Sequence, residues 1–300
     1  MYSMKTLREY IHEARENGKA IGHFNISNLE AFNAIVSAAK KLNVPVIIGV
    51  SEGERDFVGV HQAVALVKSI REKTGQPVFL NADHTYSFER VKEAIDAGFD
   101  MVITDDAKGS FEDNIAVTRK AVEYAKQVNE RDGTDILVEA EIGYIGASSK
   151  LLDGAPEGIK LNEDGTISAE CLTTPEDAAR FVRETGIDLL APAVGNIHGM
   201  ISGGNPKLDI QRISHIAASA EVPLVLHGAS GIGNDELSNA VAAGISMVHY
   251  NTELRVAYKD AVQKSLAENP KEVAPYKFLS SSVKAVEEVV TEKLKIMNRL

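Results

Sequence analysis

AIGHFNISN, residues 20–28, holds the first apolar strand run of the chain, AIGHF (20–24), and leads into its first long helical pattern. In an open, doubly wound α/β sheet, the turn after the first strand carries a glycine-rich G-x-G-x-x-G loop. GHFNISN carries none, so this stretch points to the other common parallel architecture, a closed (β/α)8 barrel. Further apolar or β-branched runs follow at VPVIIGV (44–50), PVFLNA (77–82), DMVIT (100–104), DILVEAEI (135–142), DLLAPA (188–193), PLVLH (223–227) and ISMVHY (245–250). They are too continuous to alternate, as expected of parallel strands covered on both faces. The spacing between them predicts helices over 28–42, 58–73, 87–97, 111–130, 175–185, 209–220, 234–243 and 252–267. Eight strands, each followed by a helix, give the arithmetic of an α/β TIM barrel. A single such domain accounts for residues 1–300, with an extra C-terminal amphipathic helix over 280–299 outside the count.

Local signals agree with these boundaries. Pro45, Pro77 and Pro223 stand just before or at the start of apolar runs, where a missing N–H is tolerated. Thr174-Pro175-Glu176 reads as an N-cap followed by proline in the first turn of a helix. The one long connection, 143–172, is glycine-rich and follows the fifth strand, and loops of that length are usually functional or mobile.

Composition narrows the function classes. The chain is 44% hydrophobic and 25% charged, enough apolar material for a sizeable core. Its net charge of −11 argues against a nucleic-acid surface and leaves no polybasic membrane patch. No run approaches the roughly 20 apolar residues of a membrane span, and the charged start lacks a signal-peptide core, so a cytoplasmic enzyme is expected. The single cysteine, Cys171, excludes an internal disulfide and a thiolate zinc cluster, and it reads as a half-buried small residue.

In a TIM barrel the chemistry gathers at the C-terminal ends of the strands. Those ends present Asn25, Ser51, Asp83, His84, Asp105, Glu139, Glu141, His198, His227, and His249 to Asn251. A lone histidine there is most often a hydrogen-bonded structural residue. Three of them, after strands three, six and seven, can meet in one cleft and suit a zinc ion with open coordination positions. Asp83 reads either as a helix cap, worth ~1 kcal/mol, or as a carboxylate exchanging a proton with a substrate hydroxyl. Glu139 and Glu141 fall on one face of strand five, and two acids buried there call for a nearby cation. LHGASGIGNDEL (226–237) is a glycine-rich loop entering a helix, able to hold phosphate on its N–H groups and the Ser230 hydroxyl. No lysine stands at a strand end, so a Schiff base has no obvious nucleophile, and carbon–carbon chemistry would need a metal as electron sink.

Taken together, LNADH, VEAEIGYIG, VGNIHG, LHGASGIG and NTELR, in this order and nearly end to end, resemble the class II, metal-dependent ketose-bisphosphate aldolases, the fructose- and tagatose-bisphosphate aldolase family. The resemblance implies that His84, His198 and His227 are zinc ligands, with Glu141 a metal-associated acid. It implies one catalytic zinc, with room for a second divalent or monovalent cation. By the same resemblance Asp83 is the acid/base, and Ser51 contacts substrate. Gly199, Gly228, Ser230, His249, Asn251 and Thr252 fall on substrate or phosphate contacts. A homodimer or homotetramer is also expected.

The chain departs from the family pattern at particular places. Ser148-Ser149 stand where the mobile loop usually supplies an acid, and His249 replaces an asparagine. Ile201-Ser202 follow the strand-six His-Gly in place of Tyr-Lys. Lys108 stands where a histidine is common, and Tyr276 where an arginine often is. Asp153 or Glu157 is the expected substitute for the loop acid. Three readings follow. The first is cleavage of a phosphorylated ketose, with fructose 1,6-bisphosphate foremost, to dihydroxyacetone phosphate and an aldehyde. The second is a related lyase acting on tagatose 1,6-bisphosphate, another ketose phosphate or a keto acid. The third is a catalytically inert, aldolase-like partner subunit, which loss of metal ligands would mark.

Overall fold

The computed structural model describes residues 5–147 and 149–300. Eight parallel strands close into a barrel: β1 (Ile21–Asn25), β2 (Val46–Val50), β3 (Val78–Thr85), β4 (Met101–Thr104), β5 (Leu137–Ile142), β6 (Leu189–Pro192), β7 (Leu224–Leu226) and β8 (Ile245–Tyr250). Each pairs with its neighbours in sequence, and β8 closes on β1 with His23 opposite His249. Strands β2, β3 and β7 begin one residue after Pro45, Pro77 and Pro223. The carbonyls of Pro77 and Pro223 still serve the ladder, accepting from Val46 and Leu190.

The helices outside the barrel are α1 (Leu7–Glu16), α2 (Leu29–Leu42), α3 (Glu52–Val58), α4 (Val60–Thr74), α5 (Phe88–Ala97), α6 (Phe111–Asp132), α7 (Pro175–Thr185), α8 (Ile210–Ser219), α9 (Asn234–Ala242), α10 (Thr252–Glu268), α11 (Pro275–Phe278) and α12 (Ser280–Asn298). Thr174 caps α7 through the Asp177 N–H, with Pro175 in the first turn as the sequence predicts. Helices α1, α3 and α11 are additions to the expected set. Helix α12 presses its buried Val286, Val290, Leu294 and Met297 into the same core as α2 and the outer face of β1, so it packs on its own barrel.

The strands do alternate, between two apolar surroundings that the sequence does not distinguish. Val46, Ile48, Val78, Leu80, Val138 and Leu224 join the layer beneath the helices. Ile21, Ile47, Phe79, Met101, Leu137, Leu189, Val225 and Met247 fill the barrel interior, where Leu7 and Ile11 of α1 close its N-terminal end. One step of two further along, the inward positions turn polar: His23, Asn81, Glu139, His227 and His249, all buried. That change of character along β1, β3, β5, β7 and β8 places the site, while Ile103 and Ala191 keep β4 and β6 apolar at the same level.

The 143–172 connection folds over the C-terminal mouth with little regular structure. Leu151–Leu152 pairs in parallel with Met200–Ile201 of the connection after β6. Ile159 and Ile167 of this connection form a small apolar cluster with Ile197 after β6. The backbone N–H of His198 donates to the Ile145 carbonyl at 2.8 Å, which laces the two connections together beside the cleft.

Candidate active site

Side chains of His84, Glu141, His198 and His227 converge at the mouth, each offering a donor atom within 4.8 Å of the others. Glu141 Oε2 lies 3.1 Å from His227 Nδ1 and 3.7 Å from His198 Nε2. All three atoms are buried and without a hydrogen-bond partner among the described residues. Orphaned polar atoms of this kind are costly unless something pairs with them, and a divalent cation would satisfy all three at once. The far sides of two rings are fixed by carboxylates: His84 Nδ1 meets Asp105 Oδ2 at 2.8 Å, and His227 Nε2 meets Glu139 Oε1 at 2.6 Å. Carboxylates behind ligand imidazoles set the tautomer and aim the free nitrogen inward.

Two other groups bring nitrogen and carboxylate atoms equally close: His23 with Asp83 and His249, and Glu139 with His227 and His249. Ring geometry separates them from the first. His23 and His249 stack at 3.6 Å with planes 7° apart, and His249 and His227 at 4.2 Å and 23°. An imidazole binds metal along a lone pair in its own plane, so stacked rings cannot aim at one ion. The rings of His84 and His198, by contrast, stand at 74°, those of His84 and His227 at 79°, and those of His198 and His227 at 56°. Only splayed rings can share a tetrahedral centre.

Electrostatics follow from burial and charge. Burial alone would lower the His84 pKa, but Asp83 and the bond to Asp105 outweigh it and raise it to about 9. Burial would raise Glu141, but His198 and His227 pull it to about 2. Asp83 is likewise held well below the carboxylate range: burial pushes it up, but His84, His249 and His23 together outweigh that. It therefore presents an ionised oxygen. Asn25 Nδ2 donates to Asp83 Oδ2 at 2.8 Å, while Asp83 Oδ1 is left without a partner 3.6 Å from His249 Nδ1.

The inner part of the cleft is lined by Asp83, His84, His198, Gly199, Gly228, Ser230, His249, Asn251 and Thr252, which brings the expected phosphate-contacting residues beside the histidines. Thr252 opens α10, so its N-terminal N–H groups face this region. The Glu253 N–H donates to Ser230 Oγ, which leaves that hydroxyl's proton free to donate. An outer part runs past Ser51, Tyr86, Asp105 and Arg255. The Ser51 hydroxyl donates to Glu54 Oε2 at 2.9 Å, so it also serves to start α3. Ser149 borders both parts, whereas Ser148 lies outside the described residues. Asp153 and Glu157 are exposed and border neither part.

Several residues here escaped the sequence reading. Buried Glu54 gathers Asn25, Ser51, Ser27 and Arg255, and Arg255 reaches on to the Ser149 carbonyl. The Ser51-x-x-Glu54 capping box was the available signal. His23, whose stacking partner lies across the barrel seam, has no local signal.

A sequence model of class II fructose-bisphosphate aldolase matches residues 5–299. A fructose-bisphosphate aldolase of Staphylococcus aureus is 37% identical over 293 residues, covering 97% of this chain and 96% of its own. Among solved structures, the YdjI aldolase of Escherichia coli K12 superimposes with a TM-score of 0.79 at 29% identity, covering 98% of this chain and 97% of its own. A putative fructose-1,6-bisphosphate aldolase of Coccidioides immitis gives 0.80 at 27% identity, with 99% and 97% covered. Barrel and cleft thus define a metal-dependent aldehyde-lyase. The chain belongs to the class II fructose-bisphosphate aldolase family.

Proposed function

We propose that the protein catalyses zinc-dependent, reversible cleavage of a phosphorylated ketose, fructose 1,6-bisphosphate foremost, to dihydroxyacetone phosphate and an aldehyde. The observation that carries this reading is the convergence of His84, Glu141, His198 and His227 beside an ionised Asp83. The three histidines hold the ion in this reading, with Glu141 next to it. When bound, zinc supplies a Lewis acid that polarises the ketone oxygen and stabilises negative charge on the dihydroxyacetone half. Asp83 accepts the hydroxyl proton as the carbon–carbon bond breaks, through the oxygen that lacks a partner. Gly199, Gly228, Ser230, Asn251 and Thr252 anchor the phosphate, so that remote binding energy orients the reacting centre. A homodimer or homotetramer is part of the proposal, by family resemblance.

A related substrate is favoured by one feature. His249 lines the cleft with its Nδ1 unpartnered, where it adds an imidazole to the sugar-facing wall. Tagatose 1,6-bisphosphate, another ketose phosphate or a keto acid then takes the place of the fructose ester. Zinc content of the purified protein, followed by cleavage assays on fructose and tagatose 1,6-bisphosphates with chelator controls, tests both readings. Turnover that survives full chelation sinks the zinc mechanism. Zinc bound with neither ester cleaved points to another substrate, and no zinc with no cleavage points to an inert partner subunit.

A further inference from the structure

Asp83 and His84 are neighbours on one strand, and a regular strand sends neighbours to opposite faces. Both nevertheless reach the cleft. The β3–β4 ladder shows how. Ala82 sits opposite Val102 and Thr85 opposite Thr104, so two residues of β3 face the single Ile103. This is a β-bulge, and His84 within it has φ +33°, a left-handed value that strains a non-glycine residue. Such a conformation persists only where its surroundings impose it.

Arg55 supplies those surroundings. It lies on α3, only 1% exposed, and its hydrogen bonds among the described residues all go to neutral oxygens. Nη1 donates to the Val50 carbonyl at 2.9 Å and the Asp83 carbonyl at 3.2 Å. Nη2 donates to Thr85 Oγ1 at 3.1 Å, and that hydroxyl donates across the bulge to the Ala82 carbonyl. The guanidinium thus grips the chain on both sides of His84 and ties it to the end of β2. Glu52, Asp83 and Glu93 act on Arg55 only from a distance, and none forms an ion pair with it among the described residues. Burying a charge without a direct ionic partner is costly, so an apolar side chain would serve packing better. We propose that Arg55 is a positioning residue that clamps the Asp83–His84 bulge, so that one strand end presents the proton acceptor and a metal ligand together.

The inference rests on the function proposed above, and its test separates the two. Arg55→Met keeps the stem and removes the donors, Arg55→Lys keeps a charged donor, and Thr85→Val removes one grip alone. A crystal structure of metal-free Arg55→Met is expected to show His84 out of the left-handed region and its ring turned from His198 and His227. Zinc affinity, read by competition with a chromophoric chelator, should fall roughly ten- to hundredfold. On fructose 1,6-bisphosphate kcat should fall while KM stays within about threefold, with Arg55→Lys restoring part of both losses. An unchanged His84 backbone together with unchanged zinc affinity overturns the proposal. If Arg55→Met does not fold, the same measurements on Thr85→Val decide it, the expected losses being smaller and in the same direction. If the unmodified protein neither binds zinc nor cleaves the ester, the functional reading fails instead, and the His84 geometry in the variant crystal still decides the clamp.

Discussion

His227 Nε2 lies 2.6 Å from Glu139 Oε1, and both side chains are fully buried. Burial pushes the Glu139 carboxyl up while His227 pulls against it. The pair fixes the ring so that Nδ1 points at Glu141. Glu139→Gln retains the shape and removes the charge. Its zinc affinity is expected to drop roughly ten- to hundredfold in chelator competition. Equal affinity in the two proteins would show that Glu139 does not aim the imidazole.

For Asp83 the expected signature is a split between metal and turnover. Asp83→Asn should keep full zinc occupancy by elemental analysis, because its nearest ligand contact, Asp83 Oδ1 to His84 Nε2, is 3.9 Å. The cleavage rate constant should fall by roughly 10²–10⁴-fold, the range for loss of a general base. A variant that loses its zinc, or one that turns over normally, contradicts the proposed role.

His23 makes acid stability measurable. Burial pushes its pKa down to about 4 from the ordinary 6.5, so the folded protein keeps it neutral where the unfolded chain becomes protonated. Above pH 6.5 neither state takes up the proton, and His23 costs nothing. As the pH falls from 6.5 toward 4, the unfolded state gains protons that the folded state refuses, and stability drops, by about 3 kcal/mol in full. Urea unfolding of the metal-free protein at pH 7.5 and 4.5 should therefore show a larger loss in the unmodified chain than in His23→Gln. Equal losses in both would remove His23 from the account.

Leu294 of α12 is fully buried, and a Cβ on Gly22 of β1 would meet its Cδ2 at 2.9 Å. Leu294→Ala should cost about 2–5 kcal/mol of unfolding free energy in denaturant titrations. Zinc affinity should stay unchanged, since the cavity lies outside the barrel wall. A loss below about 1 kcal/mol would mean that α12 is not tightly seated.

The barrel was legible because its strands are apolar runs, several set off by prolines, and each expected run overlaps an observed strand. β3 runs three residues past its expected end, since Asp83, His84 and Thr85 continue it through a bulge that no local pattern announces. The short, highly charged α3 (EGERDFV) gives too little periodicity to register. Alternation inside the barrel was hidden because both strand faces meet apolar neighbours for most of their length. The histidine ligand candidates were legible once strand ends were known, since the barrel brings such ends together. Arg55 was not, because its meaning lies in carbonyls of β2 and β3, and backbone oxygens leave no mark in a sequence. His23 and His249 are 226 positions apart, joined only by barrel closure.

The inward side chains divide by depth. Ile21, Phe79, Leu137, Val225 and Met247 form a lower storey sealed by α1, while the working groups lie above them, on the same strands or, for His198, in the connection after β6. A change of residue at the upper level, His249 among them, therefore alters what the mouth can recognise without reaching the foundations. Such a scaffold can be retuned from one sugar to another one position at a time, its folding left largely to rows that never meet a ligand.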